Sequence, residues 1–410
     1  MSVHIKQLNA DASFLLSFER TSGPASSGQR PTPFTILTDP WIVGPSKVFH
    51  PILAVSSHRQ AACISTLRDL PEPDLVIISQ HKSDHCNEPT LRQLPRTGTK
   101  TLILAVPAAA KLIKSWNHFD EDKIITIPRW EESSRPLGHK EPLVRVAVPS
   151  TVPGGDPGEV TVAYIAQKRD VSGLHAAIGI TYMPPPAQGT GPHFLVTPPA
   201  TPNHDSSSTV RRLASPIISP TAHALRLALP TPPASPSHST RSTRSIHSLR
   251  SSQSSYSSPQ LLRPASRGRD GPALSVIFSP HGISYRSLEP YVTSHLIPSS
   301  AFPLTALLHC FDSVTNPWWL GGNISAGAPA GQETAINLGA RAWVSAHDGD
   351  KDIDGLMTKM LRGRRYAREE VQQGLAPEGK TGSYATETEV LMLGVGEEIC
   401  VTREGVVCSQ

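Results

Sequence analysis

Residues 73–94, "PDLVIISQHKSDHCNEPTLRQL", hold the transition on which the fold turns. "DLVIIS" is a continuous apolar run of the kind shown by a strand buried on both faces. His81, Lys82, Asp84 and His85 follow at once. "EPTLRQL" then reads as a helix, with Asn87 as N-cap and Pro89 tolerated in the first turn. A strand ending in ionisable side chains ahead of a helix puts them where α/β proteins bind ligands. The cluster is a metal site, the remnant of one, or a solvated turn.

Working outward, "KTLILAVP", "AAAKLIKSWN" and "KIITIP" continue the pattern as strand, helix and strand, an α/β signature. Upstream, "SVHIKQL", "ASFLLSF" and "PFTILTDPWI" mix β-formers with polar residues as half-buried strands do, and "AACISTLRDLPEP" predicts a short helix. Downstream come the strands "LVRVAVPS" and "EVTVAYIA". "ALSVIFSPHGIS" is followed by a helix near "LEPYVTSHLI", the strand "LTALLHCF", the turn-rich "NPWWLGGNISAG", the helix "GQETAINLG" and the strand "RAWVSAHD". A charged helix is expected around "GLMTKMLRGRRYAREEVQQGL", and a closing hairpin over "TEVLMLGVGEEICVT".

One segment does not belong to this pattern. From Pro184 to Pro272 there are 16 Pro and 18 Ser, and Phe194 and Tyr256 are its only aromatic residues. Such a composition buries too little apolar area to offset the entropy of ordering, so 184–272 is expected to be a disordered insertion. Its nine Arg against two Asp give it +7, which leaves −3 for the rest of a chain whose total is +4. The folded part therefore offers no electrostatic case for nucleic acid. Seven Ser-Pro or Thr-Pro pairs, Ser215-Pro216 and Ser235-Pro236 among them, mark the insertion as a candidate for phosphorylation by kinases. Five cysteines without CxxC spacing, no signal-peptide core and no apolar run of roughly 18 to 20 residues point to a cytoplasmic protein without a transmembrane segment.

Four β-like runs end in a histidine or carboxylate: "ILTDP" at Asp39, "VIISQHKSDH" at Asp84 and His85, "SVIFSPH" at His281 and "AWVSAHDGD" at His347. Imidazoles and a carboxylate from separate strand ends are the donor types a zinc-like site takes. The ordinary readings stand beside this one. Asp84 caps a turn, Lys82 is a surface charge, Asp39 before Pro40 starts a turn, and His175 is a buried hydrogen-bonded side chain.

"ILTDPW", "PDLVIISQHKSDHC", "SVIFSPHGI" and "GGNISAGAPAGQETAINLGARAWVSAHDGD", in that order, resemble the metallo-β-lactamase fold, and within it the branch similar to ascorbate-6-phosphate lactonase and N-acyl-phosphatidylethanolamine phospholipase D. The resemblance implies a four-layer αββα sandwich. Residues 1–183 and 273–410 would form the two halves of one domain, interrupted by 184–272. The family motif H-x-H-x-D-H keeps Asp84 and His85 here but has Gln80 and Lys82 in place of its two leading histidines. By the same resemblance His175 stands at a first-metal ligand, His281 at the bridging acid, His347 at a second-metal ligand and Asp39 at a supporting acid.

An ammonium at Lys82 about 4 Å from a dication would repel it by roughly twice the 4 kcal/mol of a unit pair, which argues against a first metal. Asp84, His85, His281 and His347 remain for one zinc ion, with none bound as the other outcome. His281 serves as general acid or base if it stands off the metal. The function expected is metal-dependent hydrolysis of an ester, lactone or phosphodiester. The alternative is a catalytically silent module that binds a small ligand or a protein.

Overall fold

A computed structural model of the chain describes residues 1–20, 32–48, 54–131, 142–150, 153–170, 172–186, 272–376 and 388–407. The expected disordered insertion, apart from 184–186 and 272, lies outside them.

Two mixed sheets pack face to face. The first runs, in spatial order, Val406–Val407, Glu398–Thr402, Ser2–Gln7, Phe14–Glu19, Phe34–Thr38, Leu75–Ile78, Leu102–Ala105 and Ile124–Thr126. Antiparallel pairing gives way to parallel where Ile36 meets Leu75, and the rest of that edge stays parallel. The second runs Glu389–Leu391, Ala342–Ser345, Ala306–His309, Leu274–Ser279, Ala176–Met183, Gly158–Ala166 and Val144–Val148. Ala176–Met183 and Leu274–Ser279, on either side of the 184–272 stretch, pair antiparallel.

Side-chain alternation builds the layers. In "LSVIFS", Val276 and Phe278 enter the core shared by both sheets while Ile277 faces the helices outside. Ala306 and Leu308 against Leu307, and Ala342 and Val344 against Trp343, repeat the rule. Across the sandwich Phe14 meets Phe278 edge-on, with ring centroids 6.4 Å apart, and Phe18 stacks on Tyr182 at 4.9 Å. Truncating the wholly buried Phe278 to Ala should cost about 3–5 kcal/mol.

Helices cover both outer faces, completing the αββα arrangement. Pro107–Ser115 starts on a first-turn proline and buries Ala109, Ala110 and Ile113 in the core that includes the first sheet. Tyr285–Tyr291 and Gly327–Leu338 cover the second sheet with Leu288, Tyr291, Ala328, Ala335 and Leu338. Asn87 caps Glu88–Leu91 by accepting from the Thr90 N–H, as the sequence predicts.

Three local expectations change. "AACISTLRDLPEP" forms only a 3₁₀ turn, Leu67–Asp69, because Thr66 and Asp69 close a capping box and Pro71 and Pro73 follow at once. The charged helix resolves into a 3₁₀ turn Leu356–Met360, an edge strand Arg362–Arg364 and a helix Arg368–Gln373. Gly363 weakens helix there, and the strand pairs with Ser313–Thr315. The closing hairpin separates, since Glu389–Leu391 pairs parallel with Ala342–Ser345 while Glu398–Thr402 pairs with Ser2–Gln7 in the other sheet.

Candidate metal centre

The ends of five elements meet at one rim of the sandwich. Asp39 follows Phe34–Thr38, Asp84 and His85 lie in the turn after Leu75–Ile78, His281 follows Leu274–Ser279, and His347 follows Ala342–Ser345. Asp11 comes from the turn between Ser2–Gln7 and Phe14–Glu19. Two of these residues hold uncommon backbone for non-glycines, with φ of 38° at Asp39 and 71° at His347. After His281 the chain turns through Gly282 at φ 80°, where a Cβ would lie 2.8 Å from both Ala326 Cβ and the His309 ring. Glycine is required there, and it lets His281 face inward.

Three imidazoles converge. His85, His281 and His347 each offer a ring nitrogen, all within 4.8 Å of one another. His85 Nε2 and His281 Nε2 are 3.0 Å apart. Asp84 Oδ2 is 3.9 Å from both His85 Nε2 and His347 Nε2. Asp84 Oδ1 is buried with no hydrogen-bond partner among the described residues. Tetrahedral ligands at zinc–nitrogen distances of about 2.0–2.1 Å stand roughly 3.3 Å from each other, so this set could close around one small cation with side-chain shifts on the order of 1 Å.

The outward nitrogens explain why the inward ones are available. His85 Nδ1 donates to Asp39 Oδ2 at 2.7 Å, and the Asp39 carboxylate also accepts from the Ser79 N–H and hydroxyl. His281 Nδ1 donates to the Ile324 carbonyl at 3.0 Å. His347 Nδ1 faces Asp11 Oδ1 at 2.9 Å, and Lys351 Nζ lies 2.8 Å from the same oxygen. The Nδ1 protons of His85 and His281 thus have acceptors, which turns their Nε2 lone pairs toward one another, while His347 Nδ1 lies between the Asp11 carboxylate and the Lys351 ammonium, 3.3 Å from the latter. Two lone pairs at 3.0 Å repel unless a proton or a metal cation lies between them.

Ionisation follows this geometry. Burial alone would push the His85 pKa down, but the carboxylates of Asp84 and Asp39 outweigh it and raise the imidazole above its ordinary value. Burial, reinforced by the neighbouring His347, His85 and Lys351, pushes His281 well down. Burial also lowers His347, with Asp11 opposing. Asp11 and Asp84 resist burial and stay below the usual carboxylate range, Asp11 through His347 and Lys351, Asp84 through His85 and His347.

The proposed first-metal residues do not join the cluster. Gln80 spends its amide N–H on the Leu174 carbonyl at 2.8 Å. Both ring nitrogens of His175 lie 3.1 Å from backbone carbonyls, Nδ1 from Gly282 and Nε2 from Asn323. Lys82 is part-exposed, and its carbonyl accepts from the N–H groups of His85 and Cys86, which shapes the turn that aims His85. Asp11 and Lys351 were not foreseen. The turn between "SVHIKQL" and "ASFLLSF" is also a strand end, and Lys351 lies four residues after His347, so both signals were present in the sequence.

A cavity of about 360 Å³ opens over the cluster. Asp84, His281 and His347 line it together with Asp312, Asp348 and Lys351, and Val314, Ile324, Ile353 and Leu361 add an aliphatic part. Arg364 and Arg365 border it, held by Glu370 and Asp350.

Residues 30–145 match the family model described as the beta-lactamase superfamily domain, a span that includes Asp39, Asp84 and His85 but neither His281 nor His347. No curated protein matches the chain significantly. Among solved structures it is similar to Igni18, a novel metallo hydrolase from the hyperthermophilic archaeon Ignicoccus hospitalis KIN4/I, at 12% identity over 98% of each chain with a TM-score of 0.41. It is also similar to CmlA, a diiron beta-hydroxylase from Streptomyces venezuelae, at 11% identity over 85% of this chain and 45% of that one, with a TM-score of 0.38.

Proposed function

We propose that this chain, a member of the metallo-β-lactamase-fold superfamily, is a hydrolase that works with a single metal ion, zinc by the chemistry of its donors. The convergence of three imidazoles, two of them backed by an acceptor on Nδ1 and the third set against the Asp11 carboxylate, carries the reading. His85, His281 and His347 would hold the ion, and three protein ligands leave the further position that catalytic zinc sites keep. The ion would supply Lewis-acid polarisation and a lowered pKa for water.

The chain's own residues do the rest. Asp84 Oδ1, buried and without a partner, accepts the proton of the attacking water. His281 counts as a ligand, since its Nε2 lies too close to His85 to stand off as a separate acid or base. Asp39 and Asp11 hold His85 and His347 in place and in the right tautomer. The aliphatic residues on the cavity lining fit the apolar part of a small ester, lactone or phosphodiester. A cytoplasmic setting agrees with the free Cys63, Cys86, Cys310 and Cys400.

Elemental analysis of the purified protein tests the reading. About one zinc per chain is expected, lost in His347→Ala, together with hydrolysis of p-nitrophenyl esters or bis-p-nitrophenyl phosphate that chelator abolishes. A folded protein that neither contains nor takes up metal would sink it. That result would favour a silent ligand-binding module, the reading to which Gln80 and the carbonyl-bound His175 lend weight.

A further inference from the structure

A three-stranded sheet, Asn323–Ala326, Ser313–Thr315 and Arg362–Arg364, stands beside the cavity. The turn joining its first two strands in the chain carries Trp318 and Trp319, which are 87% and 59% exposed. Isolated apolar residues on a surface need no explanation, but two adjacent indoles in water do. Register places this turn at the end of the sheet where Arg362 pairs with Thr315, and Met360, 46% exposed, precedes that strand.

Arg362 stands at that same end with Lys359 just before it, and the strand carries further cations away from it. From Lys359 to Arg368 the chain reads "KMLRGRRYAR", five cations without an acid. Lys359, Arg362, Arg364, Arg365 and Arg368 are all exposed. Lys359 and Arg362 have no carboxylate partner among the described residues. The pairs of Arg364 with Glu370, Arg365 with Asp350 and Arg368 with Glu369 are exposed and so exchange readily for other anions.

Indoles favour the boundary between water and acyl chains, and arginines favour anionic headgroups. We propose that the turn 316–322 and the strand Arg362–Arg364 form a peripheral docking surface for anionic lipid, with the cavity mouth beside it. Among the described residues no helix is long and apolar enough to cross a membrane, so attachment through this surface is interfacial. Single-stranded nucleic acid, the other polyanion that uses aromatic and basic groups, fits less well. Lys351, Arg364 and Arg365 line the cavity beside the patch, but they share it with Asp84, Asp312 and Asp348 and with the aliphatic Val314, Ile324, Ile353 and Leu361, so it offers no continuous groove of cations.

Flotation of the full chain with phosphatidylcholine vesicles, with and without phosphatidylserine, tests the surface. Binding is expected only to the anionic vesicles, with a blue shift of tryptophan emission and weakening at high salt. Trp318→Ala with Trp319→Ala should abolish flotation without lowering the thermal midpoint, because both side chains are exposed. Arg362→Ala should weaken it about fivefold. His347→Ala should float like the wild type, which separates this surface from the metal reading. No flotation, flotation that survives the tryptophan substitutions, or retention only on a single-stranded oligonucleotide would overturn the proposal.

Discussion

Two halves of one rim, built from the same strand ends, differ in what their polar atoms do. Around His85, His281 and His347 each Nδ1 is turned outward, onto Asp39, the Ile324 carbonyl and the Asp11–Lys351 pair, and among the described residues the inner nitrogens face each other and Asp84. Around Gln80 and His175 the inner atoms are already spent on the carbonyls of Leu174, Gly282 and Asn323. Metal-binding capacity therefore depends on which nitrogen the backbone satisfies as well as on residue identity. A histidine with both nitrogens on carbonyls is a structural brace.

The largest effect that can break this contrast is on stability in the presence of zinc. With free zinc roughly a thousandfold above its dissociation constant, the wild type should gain about 4 kcal/mol of unfolding free energy. His281→Ala should gain almost none, and His175→Ala should keep the full increment. Denaturant titrations with and without zinc check this, and equal gains in all three proteins would erase the distinction between the halves.

A histidine outside both halves serves as a control. His309 is buried, its Nδ1 meets the Cys310 carbonyl at 2.8 Å, and its Nε2 is without a partner. Among the described residues no carboxylate hydrogen-bonds to it, and burial pushes its pKa down to about 4. The unfolded chain binds that proton near pH 6.5 and the folded chain resists it. Stability from this residue is therefore intact above pH 6.5 and lost as pH falls toward 4, by about 3 kcal/mol. His309→Gln should flatten that part of the stability profile and leave zinc uptake unchanged. A smaller step follows at the supporting carboxylates, where Asp39→Asn or Asp11→Asn should weaken zinc binding about 10- to 100-fold by calorimetry.

The legible parts of the fold were those that periodicity controls. The apolar runs at 75–78, 102–105 and 274–279 are strands where expected, and the four strand ends do converge. What escaped depended on long-range pairing. Arg362–Arg364 looks helical until Ser313–Thr315 is beside it, and Glu389–Leu391 looks like half a hairpin until Ala342–Ser345 captures it. At the site the histidines that come together were readable because histidines at strand ends are conspicuous. Asp11 was not, because its role depends on the first hairpin lying beside Lys351, 340 residues along the chain. The state of His175 was open for the same reason, since its partners are backbone atoms.

Restoring the missing half is the most delicate test. Gln80→His with Lys82→His supplies both leading histidines of the motif and removes the ammonium. His175 would still have to leave two carbonyls, a neutral ring donating to one of them in a bond worth about 0.5–1.5 kcal/mol, and Leu174 would lose the Gln80 donor. The double variant should therefore take up a second zinc at least about tenfold more weakly than the first, seen as a second calorimetric transition. Two ions bound with equal affinity would mean that the braces around His175 cost little, and the contrast between the halves would reduce to residue identity. Failure to bind any second ion, with the first retained, would place the obstacle in the backbone of 174–175 and 282 rather than in the two substituted side chains.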